Sequence, residues 1–140
     1  MSVKRGCLGV IKAKVATATS AATTVDEVRD WAYEESAEQI DASKIGDCTK
    51  KFEAGAKQTT GTINTWWEPS ATGNQTIFTV GDKVALELYP ASATSGSTYY
   101  TTPTGGATIT SVSRQGSVDG LVENNFGFTV NGEMTTTTVP

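Results

Sequence analysis

Apolar and polar residues alternate in short stretches along most of this chain, which is the pattern expected of half-buried β-strands. The clearest stretch is residues 25–35. As a strand it carries Arg29, Trp31 and Tyr33 on one face and Asp30, Ala32 and Glu34 on the other. A helix is the alternative, but it would leave Tyr33 outside a narrow apolar stripe, so we favour a strand. Strands are predicted at residues 9–15, 25–35, 59–68, 83–89, 107–114 and 121–131.

The phases of these strands predict which side chains meet in the interior. The predicted core consists of Trp31, Tyr33, Leu86, Leu88, Phe126 and Phe128. The side chains of Asp30, Glu34, Glu123 and Asn125 then point away from it. Alternation determines the face of a strand but not the sheet to which it belongs. Whether these four line a shared surface or face bulk solvent therefore stays open.

Residues 36–56 differ from the rest of the chain. Charged residues are frequent there, and Ile40, Ile45 and Phe52 are the sizeable apolar ones, without a sustained period. Such a long segment without regular structure is unusual in a compact domain unless it has a function. A solvated excursion is one interpretation and an interaction loop is the other. The candidate contact residues are Asp41, Lys44, Asp47, Lys50 and Lys51.

The remaining segments complete a single domain of residues 1–140. Residues 1–24 are expected to form an N-terminal arm with an edge strand, in which lysines discourage unwanted pairing. Residues 70–81 could hold one short helix, with Thr72 as its cap and Gly81 as its stop. Residues 134–140 are predicted to be a mobile tail or arm. The predicted fold class is mainly β, an antiparallel sandwich or barrel with one short helix and a long interaction loop.

Composition supports strands and argues against nucleic-acid affinity. Hydrophobic residues make up 37% of the chain, and threonine, which favours strands, occurs 24 times. The net charge of −4 is the opposite of what phosphate binding requires. No apolar stretch approaches the roughly 20 residues of a membrane helix. Lys12 and Lys14 would interrupt the core of a signal peptide.

Histidine is absent, which removes Ser-His-Asp and Cys-His catalysis and the commonest general base. The two cysteines, Cys7 and Cys48, cannot form a standard zinc site, and we expect them to be reduced. Glu34 and Glu35 could be proposed as a hydrolytic pair, but successive strand residues point to opposite faces. We therefore expect no enzyme activity, metal or cofactor.

Aromatic residues allow a second interpretation, a carbohydrate- or surface-binding β-sandwich. Trp66, Trp67, Tyr99 and Tyr100 would then form a stacking platform on a monomeric protein.

Three stretches, read in order, carry a family resemblance. The first is 26–41, DEVRDWAYEESAEQID; the second is 45–55, IGDCTKKFEAG, leading into TGTI at 60–63. The third comprises GSTYY at 96–100, ITSVSR at 109–114 and FGFTVNG at 126–132. Their order and spacing resemble those of the tail tube proteins of long-tailed bacteriophages. The likeness covers roughly residues 25–135. The chain departs from the family pattern at 76–81 and in a YYTTPT insertion at 99–104.

This resemblance implies a structural virion protein whose β-sandwich subunits form hexameric rings. The rings would stack into a tail tube, a conduit through which genomic DNA passes during ejection without specific binding. The four outward-pointing residues become candidates for lining the lumen, and residues 36–56 become an inter-ring loop. Expected partners are further copies of the chain and tape measure, tail terminator and baseplate or tip proteins. The protein would be assembled in the host cytoplasm and reside in the virion.

Overall fold

The computed structural model of the protein describes residues 9–67 and 75–140. Within these residues the chain forms strands and no helix. The strands are β1 (Val10–Val15), β2 (Thr23–Thr24), β3 (Val28–Asp41), β4 (Phe52–Trp66), β5 (Lys83–Tyr89), β6 (Thr98–Thr101), β7 (Ala107–Gln115), β8 (Glu123–Val130) and β9 (Thr135–Thr138).

All strand pairs are antiparallel and belong to one curled sheet. Its order is β2-β1-β5-β7-β8-β4-β3, and β6 lies between β5 and β9 off this path. The sheet folds over its own apolar face, because Ile11 and Leu86 from one half share a buried cluster with Ile63 and Phe126 from the other. The predicted mainly β, antiparallel fold is confirmed.

Side chains of alternate strand residues fill the interior. Of the predicted core, Leu86, Leu88, Phe126 and Phe128 are buried. Burial of each such side chain contributes about 1.5–3 kcal/mol relative to exposure. Trp31 and Tyr33 point to the same core but are only half-buried at its margin. Their rings stack with centroids 6.2 Å apart, and Tyr33 meets Tyr100 edge-on at 5.5 Å.

Gly61 lies in β4 between β3 and β8, at a point where there is no room for a side chain. A Cβ atom at this position would lie 2.5 Å from the carbonyl oxygen of Ala32 and 2.5 Å from Cζ of Phe128. Real Cβ atoms do not approach other atoms so closely, so a larger residue would force the strands apart.

Three predictions about local structure were wrong in whole or in part. No helix forms in 75–81, where the chain makes turns instead, and 70–74 lie outside the described residues. Thr135–Thr138 is not a free tail, since it pairs with Thr98–Thr101 as β9. Threonine suits an exposed strand, but a run of identical residues has no alternation to reveal it. Residues 36–56 are mainly a β-hairpin rather than an irregular loop.

No helix within 9–67 and 75–140 has the length and apolarity needed to cross a membrane.

Candidate functional site

The outer side of the β3-β4-β8-β7 part of the sheet presents a polar surface. Strand registers place residues in rows across it, such as Asp30, Asn64, Asn125 and Ser113, and Glu34, Thr60, Thr129 and Thr108. We call this surface the polar face. It consists chiefly of Asp30, Glu34, Thr60, Thr62, Asn64, Ser113, Glu123 and Asn125. All four residues predicted to point away from the core, Asp30, Glu34, Glu123 and Asn125, are brought together on it.

A row of side-chain hydrogen bonds crosses three strands of the polar face. The amide of Asn64 donates to the Oδ1 atom of Asp30 at 2.5 Å, and the amide of Asn125 donates to the Oδ1 atom of Asn64. The side-chain amides of Asn64 and Asn125 therefore each donate one hydrogen bond to a neighbouring side chain of the same face. The row holds these side chains against the sheet.

Arg29 lies at one end of the polar face, which the sequence did not predict. A β-bulge between Val28 and Asp30 inserts an extra residue, so that Arg29 leaves the face of Trp31 and Tyr33. Its Nη1 atom lies 2.8 Å from the Oε1 atom of Glu123, and its guanidinium carbon lies 4.4 Å from the centre of the Trp66 ring. A bulge has no signal in the apolar pattern, so periodicity could not have revealed this contact.

A hairpin projects from the sheet beyond the core. We call residues 36–58 the arm. Every residue of it is exposed except Asp47 and Gly55, which are partly covered. The strands remain paired from Ser36 opposite Gln58 to Asp41 opposite Phe52, with one register shift. Six residues of strand extend the arm by about 20 Å before the turn at its end.

The tip of the arm, residues 42–51, is organised by its own side chains. Asp41 accepts a hydrogen bond from the backbone N–H of Ser43, which lowers the pKa of its carboxyl group. Asp47 accepts from the N–H of Lys44 at 2.9 Å and lies 3.5 Å from Nζ of Lys51. Two of the predicted contact residues, Asp41 and Asp47, therefore build the turn.

The other predicted contact residues differ in availability. Lys51 is already paired with Asp47, whereas Lys44 and Lys50 have no ion-pair partner among the described residues. Ile45 lies in the turn at 45–46 with its side chain fully exposed. The tip therefore offers an exposed apolar group and two cations without an ion-pair partner in the described part of the chain. Cys48 is a free, exposed thiol nearby, and Cys7 lies outside the described residues.

An ion pair joins the base of the arm to the end of the sheet. Nζ of Lys57 lies 2.9 Å from the Oε1 atom of Glu133. The hydrogen bond to Glu133 and the charge of its carboxylate raise the pKa of Lys57 above its ordinary value. Both side chains are exposed, so the pair contributes little to stability.

Two of the open strand edges in the described part of the chain flank the polar face. No described strand pairs with the outer edge of β3. On the other side of the polar face, β7 pairs with β5 only through Ala107 and Thr108. Beyond Ile109 its edge has no strand partner there. Open edges tend to recruit another strand. The strand predicted at the edge, within residues 1–24, is instead flanked on both sides, since β1 pairs with β5 along its length and with β2 at Lys12 and Ala13.

The four aromatic residues considered as a carbohydrate platform do not form one. Trp66 contacts Arg29, and Tyr99 stacks on Tyr89 with ring centroids 4.6 Å apart. Tyr100 turns to the core beside Tyr33, and Trp67 is exposed. Burial and the hydrogen bond to Glu87 raise the pKa of Tyr89, so its hydroxyl group stays protonated. Nothing in this arrangement favours sugar stacking. No cluster of potential metal ligands occurs in the described residues.

Solved structures of tails and virions have the same fold. A chain from the tail of an empty gene transfer agent (GTA) particle, with C6 symmetry, is 16% identical with a TM-score of 0.69, over 92% of this chain and 95% of that chain. A chain from the virion of a native GTA particle is 17% identical with a TM-score of 0.71, over 97% and 100%. The SPP1 tail tube is 12% identical with a TM-score of 0.67, over 94% and 76%. No protein-family model and no curated protein matches the sequence, so this likeness is one of fold.

Proposed function

Since the chain has the fold of phage tail tube structures, we propose that it is a structural, non-enzymatic subunit of a tail tube. Copies of it form hexameric rings, and the rings stack into the conduit through which genomic DNA is ejected. Its partners are first other copies of itself, then the tape measure, terminator and baseplate or tip proteins. It is assembled in the host cytoplasm and resides in the virion tail. Support comes from the fold, the polar face, the open edges and the arm.

The observation that carries this proposal is that two open strand edges, those of β3 and β7, flank the polar face on opposite sides. The strands β7, β8, β4 and β3 alternate in direction, so β3 and β7 run antiparallel to each other. In a ring of copies that all point the same way, β3 of one copy would meet β7 of the next in antiparallel orientation. Pairing there would close the four-stranded units into a barrel and remove the open edges of β3 and β7.

Closure of this kind turns the polar face toward the lumen. The face carries hydroxyl, amide and carboxylate groups, and its one described cation is paired with Glu123. A basic lumen would hold DNA at every phosphate that it neutralised, and these contacts would add up along the tube. A neutral or acidic wall repels the backbone weakly, within a Debye length of about 8 Å. DNA would then stay hydrated and slide.

The arm is suited to connect successive rings. Its tip presents Lys44, Lys50 and the exposed Ile45, while its stem carries the exposed carboxylates of Glu38 and Glu53. A basic tip and an acidic stem on one molecule favour head-to-tail contacts between copies, in which charge complementarity sets the orientation. We therefore expect Lys44 and Lys50, rather than the internally paired Lys51, to meet carboxylates of the adjacent ring.

Selective labelling of cysteines tests which face lines the conduit. In a background with Cys7→Ser and Cys48→Ser, Thr62→Cys marks the polar face, and Lys12→Cys marks the outer side of the β1–β5 half as a matched control. In assembled particles, N-ethylmaleimide should label both cysteines. A large polyethylene-glycol maleimide should label only the cysteine at position 12, and both after disassembly. Labelling of the cysteine at position 62 by the large reagent along intact tubes would overturn the assignment.

A further inference from the structure

Arg29 is the one cationic side chain on the polar face among the described residues. We propose that Glu123 and Trp66 mask Arg29, so that this side chain does not bind the phosphates of DNA. Glu123 is thus a positioning residue that keeps the wall of the conduit from gripping its cargo. The inference rests on the proposed function, since masking matters where this face meets nucleic acid.

Two contacts hold the guanidinium group of Arg29 in place. Glu123 accepts a hydrogen bond from its Nη1 atom at 2.8 Å, and the Trp66 ring lies 4.4 Å below its carbon atom. Arg29 and Glu123 are each 40% exposed. An arginine this exposed is within reach of a phosphate and has the donor geometry to bind one with two hydrogen bonds. The partial burial of Arg29 would therefore not by itself prevent this side chain from binding a DNA phosphate.

The surroundings of the pair would otherwise suit a phosphate. A depression around Arg29 is lined by Asn64, Asn125, Ser113 and Gln115, together with Glu123. Amide and hydroxyl groups beside an arginine are the usual donors to phosphate in nucleic-acid complexes. Here the Glu123 carboxylate takes the position that an anion would occupy. The amides of Asn64 and Asn125 direct an N–H group into the row that ends at Asp30.

Masking of Arg29 has a large effect because the same residue recurs in every subunit of a tube. A ring with the C6 symmetry of the related tail would present six copies of Arg29 around the DNA. Each phosphate neutralised on duplex DNA steepens the dependence of log K on log salt by about 0.9. Weak contacts that are negligible in one subunit would therefore accumulate along a tube. Local neutralisation by Glu123 prevents this without removing the Arg29–Trp66 contact from the structure.

The test compares four full-length proteins: wild type, Glu123→Gln, the double variant Glu123→Gln/Arg29→Gln, and Glu34→Gln. Glu34→Gln is the matched control, because it removes one carboxylate from the same face without freeing a cation. Binding of a fluorescently labelled 20-base-pair DNA duplex (about two helical turns) is measured over a range of salt concentrations. Co-sedimentation with assembled tubes and anisotropy with unassembled protein give separate readouts, and thermal melting verifies folding.

Glu123→Gln should bind the duplex at least ~10-fold more tightly than wild type at low salt, with a steeper salt dependence. The double variant should return to the wild-type level, and Glu34→Gln should resemble wild type. Equal gains in Glu123→Gln and Glu34→Gln, or no gain in Glu123→Gln, would overturn the masking role. If no tubes form, the proposed function fails, but the anisotropy comparison still decides whether Glu123 masks Arg29.

Discussion

The strands β3 and β4 pass through two regions of the molecule that differ in almost every physical respect. In the body of the subunit, by which we mean the curled sheet outside the arm, Ile63 and Thr65 are completely buried and Trp31 packs against the core. In the arm, the same two strands continue with nearly every side chain exposed. Backbone hydrogen bonds join β3 to β4 in both regions, but burial of apolar surface is confined to the body. Stability is therefore expected to reside in the body.

This difference indicates what the arm is for. A two-stranded hairpin without a covered face is marginally stable on its own, so the arm is held out by strands anchored in the body. Its Ile45 is fully exposed, and Ile40 and Phe52 are about half exposed and lie outside the core cluster. By register Ile40 and Phe52 lie on opposite faces of the hairpin, so the arm presents apolar side chains on both sides, which we expect to contact other copies. Variants of the two regions should therefore separate folding from assembly.

The largest effect is expected from Phe126→Ala in the body. Phe126 is 1% exposed and stacks on Phe78 with ring centroids 4.8 Å apart. Truncation should lower the free energy of unfolding by about 3–5 kcal/mol, through lost burial and the cavity left behind. Chemical denaturation measures this loss. A loss no larger than that of an arm variant would remove the contrast between the two regions.

Trp31→Ala tests the margin of the core, where β3 leaves the body. Trp31 is half-buried, so the loss should be smaller than for Phe126, about 2–3 kcal/mol. The same denaturation series gives the comparison directly. A loss equal to that of Phe126→Ala would show that the core extends further toward the arm than its burial indicates.

Gly61→Ala should cost about 1–3 kcal/mol because the new methyl group would collide with the Ala32 carbonyl and the Phe128 ring. Gly105→Ala is a matched control, since the nearest atom to its added Cβ would be at 3.4 Å, the Cβ of Asn131. Thermal melts of the two variants should differ clearly. Equal stability of both would contradict the close approach of β3, β4 and β8.

Substitution of Ile45 by Ser should change the free energy of unfolding by less than about 0.5 kcal/mol, because the side chain is fully exposed. The same change should prevent stacking of rings, as should Lys44→Glu combined with Lys50→Glu. Lys83→Glu, in the body, serves as a charge control. Electron microscopy and melting curves of each variant separate the two effects. Normal tubes from both arm variants would end the inter-ring role.

The smallest effect is expected where the two regions join. Glu133 raises the pKa of Lys57, so the pair stabilises the folded state at pH values below the ordinary lysine pKa. That contribution is lost as pH rises through the raised pKa of the folded state. In Glu133→Gln, an NMR titration of Lys57 should show its pKa return toward the ordinary value. An unaltered Lys57 titration would mean that the pair does not form in solution.

The sequence predicted the body better than the arm, and the reason is physical. Alternation reports burial on one face of a strand, so β5 and β8 could be placed with Leu86, Leu88, Phe126 and Phe128 inward. The arm buries neither face, and its strands therefore left no periodic signal around Ile40 and Phe52. The bulge that moves Arg29 to the polar face depends on backbone geometry between neighbouring strands. Open edges likewise depend on topology, which a single strand does not encode.

A cryo-EM reconstruction of the purified, assembled protein tests the central claim most directly. We expect stacked rings in which Asp30, Asn64, Asn125 and Glu123 face the lumen, β3 of each subunit pairs with β7 of the next, and the arms bridge rings. Rings with the polar face on the outside would contradict the account, as would a protein that remains monomeric under all assembly conditions.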